Sequence, residues 1–102
     1  MKSSYENLLT HARFELAAQA GCRAFVVGTF NNWNPTASPM RFNPDSGRHE
    51  AQVQLLPGLH EYKFIIDGTW CLDPACTESV PNAYGSRNSV RHVKATPYLN
   101  QK

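Results

Sequence analysis

The chain has 102 residues, of which 41% are hydrophobic and 18% are charged, and its formal net charge is +2. This length closes one hydrophobic core and is too short for two substantial ones, so we expect a single domain. The positive charge is small and scattered, and no apolar run is long enough to cross a bilayer, so we expect neither nucleic acid nor membrane as a partner.

The first predicted element is a short strand near the amino terminus. Apolar residues alternate as Phe14, Leu16 and Ala18, which indicates a half-buried strand over residues 13–18, although a helix over residues 5–20 is a competing interpretation. Residues 1–12 are predicted to be an amino-terminal extension, and its polar start lacks the apolar core of a secretory signal. We therefore expect a cytoplasmic protein.

Seven short segments show the apolar or alternating pattern of strands. They cover residues 13–18, 24–27, 40–42, 49–55, 60–66, 69–72 and 89–93. Two turn signals join neighbouring segments into hairpins, one at residues 43–47 and one at the Asp-Gly pair 67–68. No long helical pattern intervenes, so we predict an all-β protein, a β-sandwich of about seven short antiparallel strands.

Two connections are predicted to be irregular and exposed. Residues 31–39 gather turn-forming residues around Trp33 and predict a loop. Residues 73–87 show little periodicity and predict a connection longer than most, of the kind that often carries function. The folded domain is expected to cover residues 13–94, and residues 95–102 are expected to form a frayed carboxy-terminal tail.

Four motifs follow one another along the chain. They are VGTFNNW at residues 27–33, PGLHEYKFIIDGTW at 57–70, DP at 73–74 and NAYGSRNSV at 82–90. Together they resemble the family 48 carbohydrate-binding modules, which include the glycogen-binding domain of the AMP-activated protein kinase beta subunit and the amino-terminal domains of branching and debranching enzymes. The resemblance extends over residues 13–93.

The resemblance implies an immunoglobulin-like sandwich of the early-set type with a shallow groove for an α-1,4-linked glucan. Carried over by motif, the implied carbohydrate-binding residues are Trp33, Lys63, Trp70, Tyr84, Ser86 and Asn88. The sequence departs from the kinase-type modules at Tyr84, where those modules usually have leucine. An aromatic platform replaces leucine at this position, which changes the surface that responds to chain length and branching, while the implied class of ligand stays the same.

The residue types themselves suit a sugar, because a glucose ring has an apolar face and an edge of hydroxyls. Trp33 and Trp70 offer flat apolar surfaces, although an arbitrary tryptophan more often fills a core. Strand alternation directs Lys63 towards solvent, where it is either an ordinary surface charge or a hydrogen-bond donor. Asn88 pairs with hydroxyls in both directions or, alternatively, caps its own loop.

The sequence argues against catalysis and against a bound metal. A glycoside hydrolase needs two carboxylates that face each other, whereas the acidic residues here mostly occupy turns and solvent faces. The histidines show no ligand spacing, and we expect all of them at the surface or at strand edges; they are His11, His49, His60 and His92. The cysteines match no zinc pattern and are expected as free thiols; they are Cys22, Cys71 and Cys76. We expect no catalytic residue, metal or cofactor.

The favoured hypothesis is a non-catalytic module that recognises glycogen, starch or malto-oligosaccharide by aromatic stacking and hydroxyl hydrogen bonds. The alternative is a protein-interaction or regulatory module on the same fold, without sugar binding, because fold alone does not fix function. A third hypothesis, a fragment of a larger glucan enzyme, is weakened by the initial methionine and the tail. The expected partners are α-glucan and, as a separate chain, a glycogen-metabolising enzyme or kinase.

Overall fold

Eight strands and a single 3₁₀ turn appear in the computed structural model, which describes residues 9–94. The strands are β1 (Thr10–Leu16), β2 (Ala24–Gly28), β3 (Arg41–Asn43), β4 (Arg48–Leu55), β5 (Gly58–Ile66), β6 (Thr69–Cys71), β7 (Ser79–Pro81) and β8 (Arg87–Val93). The predicted all-β class is confirmed, as are both hairpins. Over residues 9–94, no helix is long and apolar enough to span a membrane.

The strands form two antiparallel sheets. One has the order β1-β4-β3, and the other has the order β2-β5-β8-β7, with β6 also paired to β5. The strand predicted over residues 13–18 is confirmed as β1, which begins at Thr10, and the competing helix is wrong for this segment. The tail predicted at residues 95–102 and residues 1–8 of the predicted extension lie outside the described residues.

The arrangement around β5 positions the functional site. β2 occupies one edge of β5, while β8 and β6 share the opposite edge and lie end to end along it. Tyr62 pairs with Ser89 of β8, and Phe64 pairs with Cys71 of β6. Lys63 therefore lies where the two neighbouring strands meet, at an interruption in that edge of the sheet.

The core lies between the two sheets and consists mainly of alternate residues of the strands, those that face inward. Its buried members are Ala12, Phe14, Leu16, Ala24, Val26, Met40, Leu55, Tyr62, Phe64 and Val93. The Tyr62 ring lies at its centre, with its centroid 4.8 Å from that of Phe14 and 5.7 Å from that of Phe64, both in edge-to-face geometry.

Two local predictions are wrong. The connection over residues 73–87 contains β7, which is too short to show alternation and forms because Val80 pairs with Asn88 of β8. His49 is not at the surface but is 1% exposed; its Nε2 donates to the carbonyl oxygen of Gln19 at 2.8 Å, and its ring packs on Phe42. The position of His49 on the inward face of β4 explains its burial.

Candidate functional site

A groove with a volume of about 770 Å³ lies over the outer face of the five-stranded sheet, above the interruption beside β5. All six predicted site residues line it: Trp33, Lys63, Trp70, Tyr84, Ser86 and Asn88. Motif comparison missed four further lining residues, Glu61, Pro81, Asn82 and Ala83. Asn82 and Ala83 lie in the last sequence motif, but only the structure shows that they line the groove.

Trp33 is placed by a tightly hydrogen-bonded loop after β2. The Asn31 side chain organises this loop: its Nδ2 donates to the carbonyl oxygen of Val26 and to Oγ of Ser38, both at 3.1 Å. Its Oδ1 accepts a hydrogen bond from the backbone nitrogen of Gly28 at 3.0 Å. The Trp33 backbone nitrogen then donates to the Gly28 carbonyl oxygen at 3.0 Å, which closes the loop. The half-buried indole is thus held in a defined position on the groove wall.

The same loop contains backbone strain. Asn32 and Trp33 have φ angles of 57° and 58°, in the left-handed region that a bulky side chain rarely adopts. Such conformations cost on the order of 1 kcal/mol each and persist where the surrounding contacts enforce them. The loop begins at Gly28, the last residue of β2, where the backbone approaches β5 so closely that a Cβ atom would lie 2.4 Å from the carbonyl oxygen of Glu61. The hydrogen bonds of the loop hold Asn32 and Trp33 in this conformation, in which the Trp33 ring lines the groove.

Trp70 is presented by the tight turn between β5 and β6. Asp67 and Gly68 have φ angles of 48° and 85°, the two positive values of a type I′ hairpin turn. Backbone and side-chain hydrogen bonds of 2.9 Å tie Asp67 to the backbone of Arg23, which fixes the turn against the start of β2. Trp70 lies directly opposite Ile65 on the outer face, and 45% of it is exposed.

A hydrogen bond from the buried Tyr62 side chain holds the segment after β6. The Tyr62 hydroxyl donates to Oδ2 of Asp73 at 2.6 Å, and the Asp73 backbone nitrogen donates to Oγ of Ser89 at 3.1 Å. Burial raises the pKa of the Tyr62 hydroxyl, and the hydrogen bond to the Asp73 carboxylate raises it further. The hydroxyl therefore remains a protonated donor, and Asp73 acts as a structural residue that holds the end of β6.

The opposite wall of the groove is the tip of the β7–β8 hairpin. Oδ1 of Asn82 accepts hydrogen bonds from the backbone nitrogens of Tyr84 and Ser86, at 2.9 Å and 3.0 Å. Gly85 supplies the positive φ, 79°, that the tight tip requires. Tyr84 is consequently held at the apex of an ordered loop with 93% of its surface exposed.

A chain of side-chain hydrogen bonds connects this tip to β5. Asn82 Nδ2 donates to Oδ1 of Asn88 at 3.0 Å, and Asn88 Nδ2 donates to Oε1 of Glu61 at 2.9 Å. Asn88 is only 6% exposed and uses both ends of its amide in these contacts. It therefore supports the loop, as its alternative interpretation held, and keeps one amide hydrogen for a ligand.

Lys63 lies on the floor of the groove. The prediction that it faces open solvent is wrong, because only 9% of it is exposed. Alternation directs it to the outer face, but the loops that carry Trp33 and Tyr84 rise on either side of that face. Its Nζ donates to Oγ of Ser86 at 3.0 Å, and within residues 9–94 it forms no ion pair. An ammonium has three donors, so two remain for a bound molecule.

The groove thus combines two indoles, an exposed phenol ring, an ammonium group and fixed amide and hydroxyl groups. Flat apolar surfaces suit the C–H face of a pyranose, and the polar groups suit its hydroxyl edge. Such a shape with few well-placed polar groups is typical of small-molecule sites.

Comparison with known proteins finds a matching family and several relatives. Residues 13–99 match the family described as the glycogen recognition site of AMP-activated protein kinase. The chain is 32% identical over 81 residues to 5'-AMP-activated protein kinase subunit beta-2 of Homo sapiens, covering 79% of this chain and 28% of that protein. It is 33% identical over 78 residues to subunit beta-1 of Bos taurus, covering 76% of this chain and 27% of that protein. The chain therefore spans under a third of these relatives.

Proposed function

Since this chain belongs to the family of the glycogen recognition site of AMP-activated protein kinase, it is a carbohydrate-binding module, and we propose that it recognises α-1,4-linked glucan. Glycogen, starch and malto-oligosaccharides all contain α-1,4-linked glucose units. The observation that carries the proposal is the presence of two indoles, Trp33 and Trp70, on one groove with the Lys63 ammonium at its floor.

The indoles supply most of the binding free energy in this proposal. Covering half of each ring removes on the order of 100 Å² of apolar surface from water, which is worth about 2.5 kcal/mol per ring. Tyr84 adds a third aromatic surface at the rim, where it stacks on a sugar that extends out of the groove. The aromatic rings align the glucan, and the polar groups select among its hydroxyls.

Hydrogen bonds add less to affinity than the rings do. Lys63 and Ser86 donate to sugar hydroxyls, and three or four such bonds contribute about 1 kcal/mol each. Association costs several kcal/mol, so we expect a dissociation constant of about 10 µM to 1 mM for a short oligosaccharide. A polysaccharide is retained more strongly, because it offers many overlapping sites.

The module acts by binding, with no catalytic step, and serves to place a protein on storage polysaccharide in the cytoplasm. Of the described residues that line the groove, Glu61 alone is acidic, whereas glycoside hydrolysis uses a pair of carboxylates. The protein so tethered is a glycogen-metabolising enzyme or a kinase on a separate chain.

Affinity electrophoresis through glycogen or amylopectin tests the proposal. The unchanged protein is expected to be retarded, and Trp33→Ala together with Trp70→Ala is expected to abolish retardation. Leu59→Ala is the matched control, because Leu59 is a 64% exposed apolar residue outside the groove. Circular dichroism establishes that the variants are folded. Equal retardation of the double variant and the unchanged protein would contradict sugar binding at this groove and favour a protein-interaction module.

A further inference from the structure

A second, smaller depression borders Trp70. Its volume is about 350 Å³, and Trp70 lines it as well as the main groove. Pro35 and Thr36 form part of its lining and belong to the loop that carries Trp33. One tryptophan and one loop therefore bound both depressions, which lie next to each other on the outer face of the five-stranded sheet.

The floor of this depression is an apolar row across three strands. Phe25 of β2 lies directly opposite Ile65 of β5, and Ile65 lies directly opposite Trp70 of β6. Directly paired residues share one face of a sheet. Two aromatic rings with an aliphatic side chain between them make a flat apolar surface of the kind that the C–H face of a pyranose covers.

The rim of the depression is polar. Arg23 and Asp67 line it. The Asp67 backbone nitrogen donates to the Arg23 carbonyl oxygen, and the Arg23 backbone nitrogen donates to Oδ1 of Asp67, both at 2.9 Å. The hydrogen bonds described for Arg23 within residues 9–94 involve only its backbone, so its guanidinium keeps all of its donors. A guanidinium is a rigid fork that can pair with two adjacent hydroxyls at once.

We infer that this depression is a second glucosyl subsite, which takes the next sugar of a glucan chain already bound in the main groove. The inference rests on the proposed function, because continuity through Trp70 gives the depression its occupant. Trp70 then contacts sugars in both depressions, Phe25 supports the outer sugar from below, and Arg23 donates to its hydroxyls. Affinity accordingly rises in a step when the oligosaccharide becomes long enough to reach past Trp70.

The test is a titration of tryptophan fluorescence with linear malto-oligosaccharides from maltotriose to maltoheptaose. The variants are Arg23→Ala, which removes the fork, and Thr36→Trp, which fills the depression. Arg48→Ala is the matched control, since Arg48 is exposed on β4 of the other sheet. Both site variants are expected to bind the shortest ligand like the unchanged protein and to bind the longest about five- to tenfold more weakly.

A second readout follows backbone amides by heteronuclear NMR. Signals of Arg23, Thr36 and Gly68 are expected to shift with the longest ligand and to stay in place with the shortest. Uniform weakening at every length, or unchanged affinity for the longest ligand in both variants, would overturn the second subsite while leaving the main groove intact. Absence of binding by the unchanged protein at any length would instead overturn the proposed function and the subsite with it.

Discussion

The outer faces of the two sheets both carry charged residues, but these residues differ in how far they are paired with each other. On the three-stranded sheet, the Arg13 guanidinium lies 3.0 Å from the Glu15 carboxylate and 2.8 Å from that of Glu50. Glu50 also accepts hydrogen bonds from Asn43 and Ser46. On the five-stranded sheet, Lys63 is nearly covered, yet among residues 9–94 its ammonium has only the Ser86 hydroxyl as a hydrogen-bond partner.

The difference shows why a depression alone does not make a binding site. The three-stranded sheet also has a depression, of about 450 Å³, in which Arg13 and Glu50 already satisfy each other. Arg41 lines it as well, but no tryptophan or tyrosine is among its described lining residues. In the main groove, the Lys63 ammonium has no charged partner among the described residues, and aromatic rings line the groove around it. A ligand with hydroxyls gains hydrogen bonds there without breaking an ion pair.

The largest expected effect tests whether the groove wall is rigid. Gly28→Ala should lower the free energy of unfolding by about 3 kcal/mol, because its Cβ meets backbone that cannot move aside, at 2.4 Å from the Glu61 carbonyl oxygen. Urea denaturation measures this change. Gly21→Ala is the control, since a Cβ at Gly21 meets nothing within 4 Å. Equal stability of the two variants would mean that the backbone at the groove wall shifts to accommodate the added Cβ atom.

A second pair of variants compares the two sheets directly. Lys63→Met keeps the apolar stem and removes the ammonium, so the affinity for maltoheptaose should fall about tenfold through loss of charged hydrogen bonds. Arg13→Met removes a cation from the three-stranded sheet and should leave that affinity unchanged. Isothermal titration calorimetry measures both. The contrast between the faces would be lost if the two substitutions had the same effect.

A third pair compares two asparagines that organise turns. Asn82→Ala removes the acceptor for the Tyr84 and Ser86 backbone nitrogens, so affinity should fall about fivefold as the hairpin tip loosens. Asn43→Ala removes a similar acceptor, for the Asp45 backbone nitrogen, on the other sheet. The Asn43→Ala substitution should lower the thermal stability of the protein and leave its affinity for the sugar unchanged. Calorimetric titration and thermal denaturation separate the two quantities, and unchanged affinity in Asn82→Ala would show that the tip does not contribute.

The smallest expected effect concerns acid stability on the three-stranded sheet. The hydrogen bond from Arg13 holds the pKa of Glu50 below its ordinary value of 4.5. A carboxylate whose pKa is depressed by folding stabilises the protein above pH 4.5, and this contribution disappears as the pH falls below that value. The melting temperature of the unchanged protein should therefore decline more between pH 5 and pH 3 than that of Glu50→Gln. If the melting temperatures of the two proteins declined equally, Glu50 would make no contribution to the acid stability.

Several strands could be predicted because their signals are local. The alternation of Phe14 with Leu16 identifies β1, and the Asp67-Gly68 pair identifies the β5–β6 hairpin through the positive φ angles that such a turn requires. The burial of His49 could also have been predicted, because alternation along β4 puts it on the same inward face as Leu55. β7 was not, since three residues ending in proline show no period.

The sequence by itself determined the all-β class, two of the hairpins and, through its motifs, six of the ten described residues that line one groove. Only the tertiary structure decided that Lys63 is covered and that Asn88 joins Asn82 to Glu61. The physical reason is that strand alternation fixes the face to which a side chain points but not what covers that face. Here the cover comes from loops far apart in the chain, which meet where β6 ends and β8 begins beside β5.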